Sequence, residues 1–161
     1  FLLLGKMTIT VLLALLSSAS AIYGPAARKE GVIVANGKSF RQEVLDNDGP
    51  VAVQFFAPWC GHCKALKPAW KAATKALASK IKLVVVDATA ELQLARTYGV
   101  QGYPTILWFG ADKRKPSKYE GGRDAPALIA GFEKLAREGG GGGAKARAKT
   151  SSASGGDNGS S

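Results

Sequence analysis

The chain has 161 residues, 46% of them hydrophobic, and a formal net charge of +10. That length suits one domain with tails, and the apolar content suffices for a packed core of roughly 110 residues. The basic residues are dispersed, with Lys6, Lys145, Arg147 and Lys149 in the tails and no basic run interleaved with aromatics, which argues against a nucleic-acid partner; two cysteines are too few for a disulfide-held mini-domain.

Residues 1–23 read as a signal peptide. Lys6 and Met7 precede an apolar run over residues 9–16, small residues follow, and Ala19–Ser20–Ala21 is an A-x-A pattern that sets cleavage after Ala21. The apolar run is shorter than the about 20 residues that span a bilayer, so no stable membrane insertion is expected once it is removed. A domain is expected over residues 28–138. Its first strand is predicted at residues 32–34, and Ser39 is placed to cap a short helix through Leu45. Asn47–Asp48–Gly49–Pro50 marks a turn. Residues 51–56 are apolar except for Gln54, as in a strand buried on both faces. A helix is predicted from about Cys60 to Ser79, bent at Pro68. Residues 81–86 form the next buried strand, and residues 91–98 a helix stopped by Gly99. Residues 105–109 and 117–120 read as a hairpin. Asp124 caps a last helix to Arg137, with Pro126 in its first turn. Alternating strands and helices predict an α/β fold, a sheet flanked by helices. Residues 139–161 open with five consecutive glycines and continue in Lys, Ala, Ser and Gly, the composition of a disordered tail or interdomain linker. Asn158–Gly159–Ser160 is a glycosylation sequon near its end.

The chemistry concentrates at Cys60–Gly61–His62–Cys63, at a predicted strand-to-helix junction. The first cysteine falls at a helix N-terminus, where free amide N–H groups and the macrodipole favour an anion and hence the thiolate. The second lies one turn later, near enough to close a small disulfide ring. Cys60 is then the nucleophile and Cys63 the more buried resolving thiol. His62, the only histidine, can carry positive charge beside the thiolate, which stabilises the dithiol and makes the disulfide more oxidising. Such couples lie near about −180 mV against about −270 mV for a reducing thioredoxin, a gap of roughly 4 kcal/mol at two electrons. Structural zinc needs four ligands, more than two Cys and one His provide. Haem attachment needs His directly after the second Cys, where Lys64 stands. No metal and no cofactor are expected.

The run Phe55–Phe56–Ala57–Pro58–Trp59–Cys60–Gly61–His62–Cys63–Lys64 resembles the active-site segment of protein disulfide isomerases. Val86–Asp87–Ala88–Thr89, Tyr98–Gly99–Val100–Gln101–Gly102–Tyr103–Pro104–Thr105 and Tyr119–Glu120–Gly121–Gly122–Arg123 resemble later landmarks of that family in the same order. The resemblance covers about residues 30–137 and implies the thioredoxin fold, a central mixed β-sheet flanked by helices. It further implies a cis Tyr103–Pro104 bond facing the site, with the Tyr103 backbone available to an extended client segment and Trp59 on an apolar rim. Three positions depart from the pattern. Gln54 replaces a buried Glu thought to pass protons to the second cysteine, Val85 replaces a Lys that would neutralise that Glu, and Gln101 replaces an Arg that swings toward the second cysteine. The first two departures agree with each other, because an uncompensated buried charge is costly. They predict slower deprotonation of Cys63. Gln101 and the Gly-Gly-Arg landmark look most like the branch with two N-terminal catalytic domains.

The leading functional reading is an enzyme that forms and rearranges disulfides in unfolded or disulfide-containing clients. It would be served by an upstream thiol oxidase or glutathione in the lumen of the endoplasmic reticulum. A chaperone-like module with weak redox turnover and a reducing thioredoxin are the alternatives; His62 and the leader count against the last. Lys64, Lys67, Lys71 and Lys75 share a helix face, read as solvated. Phe55, Phe56, Trp108 and Phe109 read as core. The chain has no KDEL-type ending, so the location follows from the resemblance.

Overall fold

The computed structural model describes residues 22–24 and 31–139. The expected leader through Ala21 and the glycine-rich stretch from residue 140 lie outside the described residues. Five strands, β1 (Ile33–Ala35), β2 (Val51–Phe56), β3 (Lys82–Asp87), β4 (Thr105–Phe109) and β5 (Ser117–Lys118), form one sheet in the order β1-β3-β2-β4-β5. Three α-helices, α1 (Gly61–Leu77), α2 (Leu92–Thr97) and α3 (Ala125–Arg137), cover it.

β2 holds the centre because its sequence is apolar on both sides. All six of its residues are buried. It pairs in parallel with β3 and antiparallel with β4, with Gln54 opposite Val85 on one side and Ile106 on the other. Side chains alternate across a strand. Ala52 and Phe56 therefore join a core with Cys63, Leu66, Trp70, Leu128 and Phe132 on the α1 and α3 face. Val51, Val53 and Phe55 join Phe40, Val44, Ala95 and Phe109 on the other. The expected mixed sheet flanked by helices is the observed one. Trp108 is fully buried and stacks on Phe132 at 5.8 Å, and Trp70 meets the same ring edge-on.

The local signals hold with two changes. Asp124 Oδ1 accepts the Ala127 N–H at 2.9 Å and opens α3. Gly99, at φ +63°, ends α2 in the left-handed region that a residue without Cβ adopts freely. α1 runs through Pro68 as one element. The expected Ser39-capped helix takes another form. Asn36 Oδ1 accepts the N–H groups of Lys38 and Ser39, and the Ser39 hydroxyl turns back to accept the Asn36 N–H. The hydroxyl is thereby spent on the preceding turn, and Arg41–Leu45 closes as a single π-helical turn, with Asp46 N–H bonded to Arg41 C=O at 2.8 Å. The hairpin's second strand is also shorter than expected, since only Lys118 and Ser117 pair with β4.

The core reaches beyond the predicted boundary at residue 28. Ile22 and Tyr23 are buried in the cluster that contains both cysteines. Cleavage after Ala21 would leave both in the mature chain. Among the described residues, no helix is long and apolar enough to cross a membrane.

Candidate active site

β2 ends at Phe56, and the chain turns through Ala57–Pro58–Trp59 into α1. The Cys60 N–H donates to Ala57 C=O at 3.0 Å, which fixes that turn. Cys60 is the N-cap of α1, in an extended backbone conformation. Its sulfur accepts the Cys63 backbone N–H at 3.2 Å, one of the amide donors that a helix start leaves without an internal partner. The two sulfurs lie 2.6 Å apart. Sequence spacing and geometry thus agree: a helix N-terminus aims an N–H group at the first sulfur and holds the second beside it.

Both thiols are buried, Cys60 with 6% of its surface exposed and Cys63 with none. Gly61 and His62 are exposed on the first turn, while Cys63 is fully buried. Burial pushes the Cys63 thiol up to about 12, and its hydrogen bond to Cys60 adds to the rise. The Ala57 backbone and the positive charge of Arg123 act in the opposite direction. Cys63 therefore holds its proton at neutral pH, which suits a resolving thiol that reacts second.

Across the site, the Tyr103–Pro104 peptide is cis and Pro104 is buried. Trp59 is 72% exposed, beside a well-packed core, and its ring meets that of Tyr103 edge-on at 5.9 Å. An apolar surface with a half-buried tyrosine therefore borders the nucleophile. Gln101 is exposed at the surface. Among the described residues, no group of three or more His, Cys, Asp and Glu side chains is placed to hold a metal ion.

Behind the cysteines, Gln54 is completely buried with Val85 as its cross-strand neighbour. Its carbonyl accepts a 2.9 Å hydrogen bond from the Tyr23 hydroxyl, while its Nε2 has no partner among the described residues. Burial holds the Tyr23 phenol above its usual range, partly offset by the bond to Gln54. Sequence reasoning missed Tyr23, which lay inside the predicted leader, and it read Arg123 only as a landmark. A lone tyrosine beside a cleavage pattern carries no signal of a partner 31 positions away.

Residues 31–134 match the thioredoxin family. The chain is 44% identical over 109 residues to Protein disulfide-isomerase A6 of Mus musculus, covering 68% of this chain and 25% of that protein. It is 49% identical over 109 residues to Protein disulfide-isomerase of Drosophila melanogaster, covering 66% of this chain and 21% of that protein. The chain spans a quarter or less of the length of these curated relatives. Among solved structures, the J-Trx1 fragment of ERdj5 superposes with a TM-score of 0.64 at 26% identity, over 72% of this chain and 55% of that one. Chloroplastic thioredoxin z shares the fold at a TM-score of 0.58 and 24% identity, over 65% and 93%.

Proposed function

The chain belongs to the thioredoxin family, with a domain of the protein disulfide-isomerase kind, and on that premise we propose that it exchanges and rearranges disulfides in client proteins through Cys60 and Cys63. One observation carries the reading: the Cys60 sulfur caps a helix, accepts the Cys63 N–H at 3.2 Å, and has a buried second sulfur 2.6 Å away.

The Cys60 thiolate attacks one sulfur of a client disulfide. The Cys60–client S–S bond forms, the client S–S bond breaks, and the second client sulfur leaves as a thiolate that takes a proton. That client thiolate can attack another client disulfide. The client thiolate so released attacks the client sulfur of the mixed disulfide, breaking the Cys60–client bond and freeing the Cys60 thiolate, which gives isomerisation with no net electron transfer. Alternatively Cys63 loses its proton and attacks the Cys60 sulfur. The client is released with two electrons more, and Cys60–Cys63 becomes the disulfide. The reverse sequence oxidises a client dithiol and reduces the enzyme, so continued oxidation needs a thiol oxidase or glutathione disulfide. His62 and Gly61 are exposed on the first turn beside Cys60, where the imidazole is able to carry positive charge. Trp59 offers apolar contact, and the Tyr103 backbone before Pro104 takes an extended client strand. The endoplasmic reticulum lumen is the proposed location, supported by the leader pattern and by the disulfide-isomerase relatives.

The test is refolding of a scrambled-disulfide protein beside refolding of a cysteine-free protein. Acceleration of the first that vanishes with Cys60→Ser, with a client mixed disulfide accumulating on Cys60 in Cys63→Ser, is the expected result. Equal help to both proteins, indifferent to Cys60→Ser, would instead mark a chaperone-like module.

A further inference from the structure

The buried pair Tyr23–Gln54 has no part in the exchange chemistry described above, yet it lies beneath the helix that carries Cys63. Gln54 points to the sheet face where Tyr23, Cys60, Cys63 and Leu66 pack together, because it shares strand parity with Ala52 and Phe56 of that cluster. Its cross-strand neighbours there, Val85 and Ile106, are apolar. The amide is therefore the sheet's polar contribution to the floor behind the cysteines. Tyr23 occupies one end of it with a 2.9 Å donated hydrogen bond. The other end, Nε2, is buried without a partner among the described residues. A buried donor left unmade is unfavourable, so a role in a later state of the site would account for it.

We propose that Tyr23 is a positioning residue: by donating to Gln54 Oε1 it turns the amide so that Nε2 serves as a hydrogen-bond donor to the Cys63 thiolate that attacks Cys60 and so releases a client. The inference rests on the disulfide-exchange reading. It deepens that reading by assigning the second half-reaction a stabilising neutral donor in place of a buried carboxylate. An amide accepts no proton, so the Cys63 proton passes to solvent and Gln54 acts on the anion that remains. The groups around Cys63 are consistent with this. Cys60 lies against it on the same helix, and Arg123 acts on it from the loop before α3. Tyr23 lies within electrostatic reach of it from the N-terminal segment, with Lys67 over the phenol ring at 5.8 Å. On the sheet face behind them, the buried polar side chain is the uncharged Gln54.

The experiment titrates Cys63 in the reduced full chain carrying Cys60→Ser, following the carbon NMR shift of its labelled β-carbon against pH. Three further variants are compared: Tyr23→Phe, Gln54→Leu and both together, each checked for folding by a thermal melt. Gln54→Leu is expected to lower the thiolate fraction at a fixed pH below the midpoint by about tenfold, the worth of one hydrogen bond to a charged group. Tyr23→Phe is expected to lower it roughly threefold, and to add nothing in the Gln54→Leu background, because Tyr23 acts through the amide. Gln54→Met replaces the leucine variant should that one melt early. An unmoved midpoint in Tyr23→Phe, or a full additional effect of Tyr23→Phe on top of Gln54→Leu, overturns the proposal. The titration requires no turnover, so it reads the pair independently of whether the refolding assay succeeds.

Discussion

Gln54 on β2 is paired directly with Val85 on β3, one buried polar side chain against one buried apolar one. The resemblance to disulfide isomerases implies a carboxylate and a lysine at these two positions, and this chain carries neither charge there. The pairing shows why the losses go together. A glutamate alone on β2 would face Val85 and Ile106 with only the Tyr23 hydroxyl to bond, and a lysine alone on β3 would be buried against an amide.

Gln54→Glu therefore has opposite effects on stability and chemistry. A carboxyl group in this setting is pushed toward its neutral form by burial, so its folded value rises above its unfolded one. Its stability contribution is full below the unfolded value and is lost as pH rises toward the folded one. At neutral pH the expected loss is about 2 to 3 kcal/mol by urea denaturation. The same carboxylate supplies a local base for Cys63, and mixed-disulfide resolution near neutral pH should accelerate at least about tenfold. Adding Val85→Lys should recover most of the stability. Resolution rates that are identical in the wild-type and Gln54→Glu proteins across neutral pH would show that Cys63 deprotonation does not limit release.

The Cys63 thiol predicts an alkaline limit to stability. Burial raises it from about 9 to about 12, so between those values the folded chain keeps a proton that the unfolded chain has released. The unfolded state binds fewer protons there, and stability falls as pH climbs through the window. In the reduced protein, the urea midpoint should decline between these limits, and Cys63→Ala should decline less steeply. Parallel slopes would mean that other groups govern the alkaline limit.

Gly131 of α3 faces the Tyr119 ring. A Cβ there would lie 2.5 Å from the phenol oxygen and 2.7 Å from Cε2. Alanine gains about 1 kcal/mol of helix preference over glycine, but overpacking costs about 1 to 3 kcal/mol. Displacing the ring also endangers its hydrogen bonds to Gly122 and Ala127 C=O, at 3.2 and 3.1 Å. The clash should win, and Gly131→Ala is expected to lower stability by about 1 to 2 kcal/mol. In a Tyr119→Leu background the same change should stabilise instead, which a pair of urea titrations decides.

Much of this molecule was legible in order. The run at residues 51–56 announced a strand buried on both faces, Gly99 and Asp124 marked helix ends by local chemistry, and the cysteine pair fell at a predicted strand-to-helix junction. These signals are short-range, so sequence carries them. Asn36 and Ser39 were harder, since two residues of similar capping ability compete for the same N–H groups and only the backbone path decides between them. Tyr23 and Arg123 were not legible as site residues. Their contributions arise from tertiary packing against Gln54 and from charge near Cys63, and neither contact has a periodicity or a motif.

Trp59 is the largest exposed apolar side chain among the described residues and sits one position before the nucleophile. Its 72% exposure means that folding gains little from it, so Trp59→Ala should change the folding free energy from urea titration by less than about 0.5 kcal/mol. A large aromatic ring at a binding surface characteristically contributes more than about 1 kcal/mol to association. Its edge contact with Tyr103 also steadies the residue before the cis proline. The loss should therefore appear in client binding. KM for a misfolded protein client is expected to rise about fivefold more than KM for glutathione disulfide, which carries no apolar side chain to pack on the ring. A rise of the same size for both substrates would assign Trp59 to the reaction at Cys60 and remove it from client recognition.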